Sequence, residues 1–157
     1  MYRKIVLAYD GSREGRVALR EGADVAQRCQ AEAHLLAVMR LPFAVPLAEG
    51  FNPQDMVKEE LKHYQDILDE GVALLRERGL SAQGHLIQGD PVARITTFAR
   101  EIGADLIVVG HRSRGALARW WSGSVGVSLV DHAPCSILVA VTAAPDDGAA
   151  RELKPRV

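Results

Sequence analysis

Gly103-Ala104-Asp105-Leu106-Ile107-Val108-Val109-Gly110 is the stretch that decides the fold class. Gly103 stops a helix, Leu106–Val109 is an unbroken β-branched and aliphatic run, and Gly110 closes it. A run with no polar alternation belongs to a strand covered on both faces, as in a parallel sheet with helical crossovers. Upstream, Asp90-Pro91 opens the preceding helix, with Asp90 as cap, Pro91 at the first helical position, and Ile95, Phe98 and Ile102 facing inward. Apolar runs of the same kind lie at Ile5–Ala8, Leu35–Val38 and Ile137–Val141, and a weaker one containing Gln83 and His85, near Ala82–Ile87, reads as an edge strand.

The intervening segments are helical. After Ser12, Ala18, Gly22, Val25 and Cys29 share one face. From about Asp55 to Arg78, the residues Val57, Leu61, Tyr64, Leu68, Val72 and Leu75 form a stripe that Gly79 ends. A last helix is expected from about Ser124 to His132, stopped by Pro134. These stripes read as core packing. The connection from Arg40 to Asp55, with Pro42, Pro46, Gly50 and Pro53, is too long for a tight turn and is either a lid or a surface excursion. Residues 143–157 lose periodicity and read as a polar tail after a single α/β domain spanning 1–142. Strands alternating with helices predict one doubly wound parallel sheet with right-handed connections, whose ligands bind beyond the strand carboxyl ends.

Composition narrows the function. The 157 residues are 48% hydrophobic and 25% charged, the balance of a folded globular chain. A formal net charge of −1 argues against a general nucleic-acid binder, which needs a basic surplus. No run has the length of a membrane span, and the short apolar run before Asp10 predicts no signal peptide, so a cytoplasmic location is expected. Cys29 and Cys135 stand far apart in no metal spacing and read as reduced thiols. The histidines His34, His63, His85, His111 and His132 form no i, i+4 metal pair.

Motif spacing rejects several enzymes. There is no G-x-x-x-x-G-K-[ST] loop, and the first strand is followed by Asp10-Gly11-Ser12-Arg13-Glu14-Gly15 rather than G-x-G-x-x-G. Ser122-Gly123-Ser124-Val125-Gly126 lacks the first glycine of a nucleophile elbow. No acid–base pair is visible, so no catalytic residue is assigned. What remains runs from Gly110 through Arg112, Ser113, Arg114 and Arg119 to Gly123-Ser124. A glycine at a strand end lets backbone amides approach a phosphate, and a glycine with a hydroxyl opening a helix favours anions. Three arginines between them complete either a polyphosphate cradle or a solvated basic surface. Trp120 and Trp121 stand there as a cover, a partner anchor or packing.

In order and spacing, three groups of residues resemble the universal stress protein family through Val141: Asp10-Gly11-Ser12 with Ala18-Leu19; Gly89-Asp90-Pro91 with Ile95, Ala99 and Gly103–Gly110; and Gly123-Ser124-Val125 with Ala133–Val139. The resemblance implies a five-stranded parallel sheet ordered 3-2-1-4-5, reversing where Asp10 and Gly110 sit. ATP-binding members carry glycine, two residues, glycine, nine residues, then glycine with serine or threonine. That pattern falls on Gly110, Ser113 and Gly123-Ser124, with Ser113 in place of the middle glycine. If that position needs positive φ, serine costs roughly 1 kcal/mol; its hydroxyl could instead bond a phosphate. By resemblance Asp10 and Val38 contact base or ribose, and Gly110, Ser113, Gly123 and Ser124 hold the phosphates of ATP, with or without Mg2+. Arg112 and Arg114 join them on charge and position. The resemblance further implies a homodimer joined through Ile137–Val141, since an apolar edge strand is a liability unless paired. The expected function is a nucleotide-responsive regulator of the stress response without dedicated turnover. A dimeric interaction module that has lost nucleotide binding, and a slow ATPase or a hydrolase using Asp10 as base, are the alternatives.

Overall fold

The computed structural model describes residues 1–40, 52–111 and 129–142. In chain order the elements are β1 (Lys4–Ala8), α1 (Arg13–Cys29), β2 (Glu32–Met39), α2 (Pro53–Glu77), β3 (Ala82–Gln88), α3 (Pro91–Ile102), β4 (Leu106–His111), α4 (Leu129–His132) and β5 (Ser136–Val141). The strands form one five-stranded sheet in the order β3-β2-β1-β4-β5, and every pairing is parallel.

Alternate residues of each strand serve different layers, which is why the runs are apolar throughout. Ile5, Leu7, Leu35, Leu106 and Val108 pack with Ala18, Leu19, Ala23 and Ala26 of α1 and Leu68, Val72 and Leu75 of α2. Val6, Leu36, Ile107 and Val109 pack on the other face with Val92, Ile95, Phe98 and Ala99 of α3 and Leu129 of α4.

The helix ends follow local chemistry. Ser12 Oγ accepts from Gly15 N–H at 2.9 Å to cap α1, and Asp90 Oδ1 accepts from Ala93 N–H at 3.0 Å to cap α3, with Pro91 next. Gly103 closes α3 at φ 65°, where its amide reaches the carbonyls of Ala99 and Arg100.

The structure departs from expectation in three places. The buried face of α1 centres on Ala18, Leu19, Gly22, Ala23 and Ala26, with Val25 and Cys29 only half-buried at its margin. In α2 the stripe is buried only in its second half, at Leu68, Val72 and Leu75, while Val57 and Leu61 are 42% and 46% exposed. At 1.5 Å per residue this 25-residue helix is about 37 Å long, and a strand of β2's eight residues spans about 26 Å, so the helix outruns the sheet. Third, Gly110 and His111 lie inside β4, paired with Ala140 and Val141, rather than after it. Of the helix expected over 124–132, the first part lies outside the described residues.

Candidate functional site

The sheet reverses between β1 and β4, and the residues around the carboxyl end of β1 define the site. Tyr9 N–H donates to the Leu36 carbonyl at 2.9 Å, prolonging the β1–β2 ladder by one step before Asp10 turns away. Asp10 Oδ1 accepts from the Ser12 amide at 3.0 Å and from the Ser12 hydroxyl, and that hydroxyl in turn caps Gly15. The exposed Asp10 carboxylate therefore shapes the entry to α1, whose first turn presents its amides to the same end of the sheet.

Gly110 is the neighbour on the β4 side. A Cβ there would lie 2.5 Å from the Glu14 carbonyl oxygen and 3.0 Å from Gly15 N, so the first turn of α1 rests on the bare backbone of β4. This gives Gly110 a packing role that the sequence reading, which reserved the missing side chain for a phosphate, did not contain. A Cβ on Gly15 would meet Asp10 Oδ1 at 2.6 Å, which places Asp10, Gly15 and Gly110 in one small constellation.

Val38 comes from β2. Ala8 is the register partner of Leu36, so Val38, two residues on, stands level with Asp10. Its side chain belongs to the α3 layer and is half-buried, as are those of Ala8, Ile87 and Val139 on the same layer. Val38 and Ile87 are direct register partners. Together these residues form an apolar shelf at the carboxyl end of the strands, next to the carboxylate of Asp10. Such a surface suits a flat, weakly polar ring with hydroxyl groups at its edge.

Charged and phenolic groups stand on both faces of the sheet near this end. Arg40, just beyond β2, faces Asp90 across 3.8 Å. Tyr9 points into the α2 side, where its hydroxyl donates to Glu70 Oε1 at 3.4 Å and Arg16 donates to the same oxygen at 2.9 and 3.1 Å. Burial, and then the Glu70 carboxylate, push the Tyr9 phenol above its ordinary value. The Tyr64 phenol is likewise raised by burial and then by Glu60, against the Arg40 backbone amide. The sequence reading missed Tyr9, Arg16 and Glu70, because no spacing rule links residues 9, 16 and 70.

The structure thus brings Asp10, Gly110 and Val38 to one end of the sheet. Arg112, Ser113, Arg114, Gly123 and Ser124, with Trp120 and Trp121, lie outside the described residues, as do residues 41–51 of the long connection and the 143–157 tail. Among the described residues no group of three or more His, Cys, Asp or Glu side chains is placed to hold a metal ion. No helix among them is long and apolar enough to cross a membrane.

The sequence profile of the universal stress protein family matches residues 1–141. The chain belongs to that family. A universal stress protein of Methanocaldococcus jannaschii is 31% identical over 141 residues, covering 88% of this chain and 82% of its own length. Among solved structures, a universal stress protein family member from Burkholderia pseudomallei superposes with a TM-score of 0.70 at 29% identity, covering 88% of this chain and 95% of the other. A universal stress protein solved in complex with cAMP superposes at 0.68 with 23% identity, covering 90% of this chain and 99% of its own. Family structures with AMP, from Arabidopsis thaliana, and with dAMP, from Archaeoglobus fulgidus, superpose at 0.66 and 0.64 with 21% and 24% identity, covering 94% and 88% of this chain and 98% and 97% of theirs.

Proposed function

We propose that this universal stress protein binds an adenine nucleotide at the carboxyl end of β1 and β4, and acts as a regulator of the stress response without dedicated turnover. The observation that carries the reading is the half-buried apolar shelf of Ala8, Val38, Ile87 and Val139 beside the exposed Asp10 carboxylate. An adenine ring fits the shelf and ribose hydroxyls fit the carboxylate. The first-turn amides of α1 add positive potential at the same end. The family structures that hold cAMP, AMP and dAMP support an adenine ligand.

ATP, with or without Mg2+, is the ligand we infer from the sequence pattern, its phosphates held by Gly110, Ser113, Gly123 and Ser124 with Arg112 and Arg114. The domain we assign ends at residue 142, with 143–157 as tail, and the location we expect is cytoplasmic. The protein pairs with a second copy through β5, an outer strand whose Val141 is 61% exposed.

Calorimetric titration of nucleotide-stripped protein with AMP, cAMP and Mg-ATP tests the proposal. Micromolar binding that Gly123→Val abolishes for ATP, but only weakens for AMP, is the expected result. No heat with any of the three, from folded protein, overturns it. A second reading, an interaction module without nucleotide binding, draws on Ser113 at the middle glycine position and on the packing role that Gly110 already fills. It predicts that silent titration.

A further inference from the structure

His34 and His85 are 51 residues apart in sequence and in contact in the fold. The parallel register sets His34 opposite Gln83 and Leu36 opposite His85, so the two imidazoles are diagonal neighbours on the α3 side of the β2–β3 ladder. His34 Nδ1 and His85 Nε2 are 3.2 Å apart. His34 is only 6% exposed, and Phe98 of α3 closes over both rings at centroid distances of 6.2 and 4.6 Å.

The surroundings select one arrangement of protons. On β2, Glu32 Oε2 lies 3.6 Å from His34 Nε2, too long for a hydrogen bond but close enough to favour an N–H over a lone pair. That tautomer leaves His34 Nδ1 as acceptor and makes His85 Nε2–H the donor. On β3 the neighbours on this face are the uncharged Gln83 and Ile87. On α3, Phe98 faces the pair, and the charged Arg94, Arg100 and Glu101 are exposed. A first proton can enter at His85 Nδ1 and leave the bridge intact, though burial and His34 both disfavour it. A second has only His34 Nδ1 left, the atom that accepts the bridge.

We propose that the His34–His85 pair is an acid-sensitive latch on the sheet edge: closed, it holds one proton at most, and uptake of the second releases β3 from β2. β3 is the outermost strand, so it can part from β2 without disturbing the β2-β1-β4-β5 order. The released state exposes both imidazoles to water, where each can hold a proton. In acid it therefore binds at least one proton more than the closed state, and its population rises about tenfold per pH unit for each such proton.

Hydrogen exchange of the full chain between pH 7.5 and 5.0, corrected for intrinsic rates and run at two protein concentrations, tests the latch. The expected result is that protection in residues 82–88 falls about tenfold per pH unit more than in 4–8 and 106–111, at either concentration. His34→Gln, which keeps an acceptor for His85 Nε2–H but cannot titrate, should lessen that difference by about tenfold per pH unit. Protection that declines equally in all strands, or an unchanged profile in His34→Gln, overturns the proposal. Ring titration of the wild type by NMR decides the matter even if the variant fails to fold. One ring should take up a proton while the other stays silent until the β3 amides begin to exchange; independent titration of both with β3 still protected refutes it.

Discussion

Asp105 and Asp10 stand at opposite ends of the β1–β4 pair and use the same carboxylate chemistry to different ends. At the amino end, Asp105 Oδ2 accepts from the backbone amides of Arg3 at 2.7 Å and Lys4 at 2.9 Å, and its own amide donates to the Lys4 carbonyl at 2.8 Å. Lys4 Nζ then reaches the Ile102 carbonyl at the end of α3. Those bonds tie the start of β1 to the start of β4. At the carboxyl end, Asp10 Oδ1 accepts from the amide and the hydroxyl of Ser12, two residues away, and the carboxylate remains exposed. In a doubly wound sheet the amino end fastens and the carboxyl end receives.

The largest effect expected is at Gly110, where fastening and receiving meet. Gly110→Ala would drive Cβ into the Glu14 backbone, and a backbone neighbour cannot rotate away. A loss of about 3 kcal/mol, or failure to fold, is expected in denaturant titration. A folded variant of wild-type stability with nucleotide binding alone abolished would show instead that the glycine serves the ligand. Next comes Ser12→Ala, which removes the α1 cap and costs about 1 kcal/mol. Asp10→Ala should change stability less than that, yet weaken AMP or ATP binding by about 10- to 100-fold, the worth of a hydrogen bond to a charged group. Asp105→Ala should do the reverse, lowering the melting temperature while leaving affinity intact. If both aspartates moved both quantities together, the division between the ends would be wrong.

The fold was legible because its signals are local. Ser12, Asp90-Pro91 and Gly103 cap helices through atoms three or four residues away, and Leu106–Val109 announces two covered faces in its composition. The exposed Val57 and Leu61 were not legible, since periodicity tells which side of a helix is apolar but not where the sheet beneath it stops. The same limit hid the real neighbour of Gly110: a glycine is visible in the sequence, but the Glu14 backbone lying against it is set by the α1–β4 crossing. The His34–His85 contact depends on the β2–β3 register, which no motif encodes. Asp10 and Val38 entered the site through family resemblance, and the level register of β1 and β2 is the physical reason they share one end.

The smallest effects expected concern pH and sharpen the fastening role of Asp105. Backbone amides, Arg3 first and Lys4 second, hold its carboxyl below the ordinary value of 3.8. A group whose acidity is strengthened by folding stabilises the fold when ionised. The contribution is complete above the unfolded value and fades as pH falls through the folded one. The stability gap between wild type and Asp105→Asn should therefore be constant from pH 7 to about 5 and close as pH falls below the ordinary value of 3.8, read as the difference between two denaturation series. A gap that persisted in strong acid would assign the role to the side chain's shape rather than its charge. Cys135 supplies an independent reporter. Its thiol is pushed above 9.0, chiefly by burial and secondarily by the Asp105 charge. Removing that charge should bring the thiol's titration down slightly and quicken its alkylation near pH 8 by less than threefold or so, because burial, the larger cause, is untouched. A much greater acceleration would mean that Asp105→Asn had opened the β4–β5 layer, and that the carboxylate fastens more than the first residues of β1.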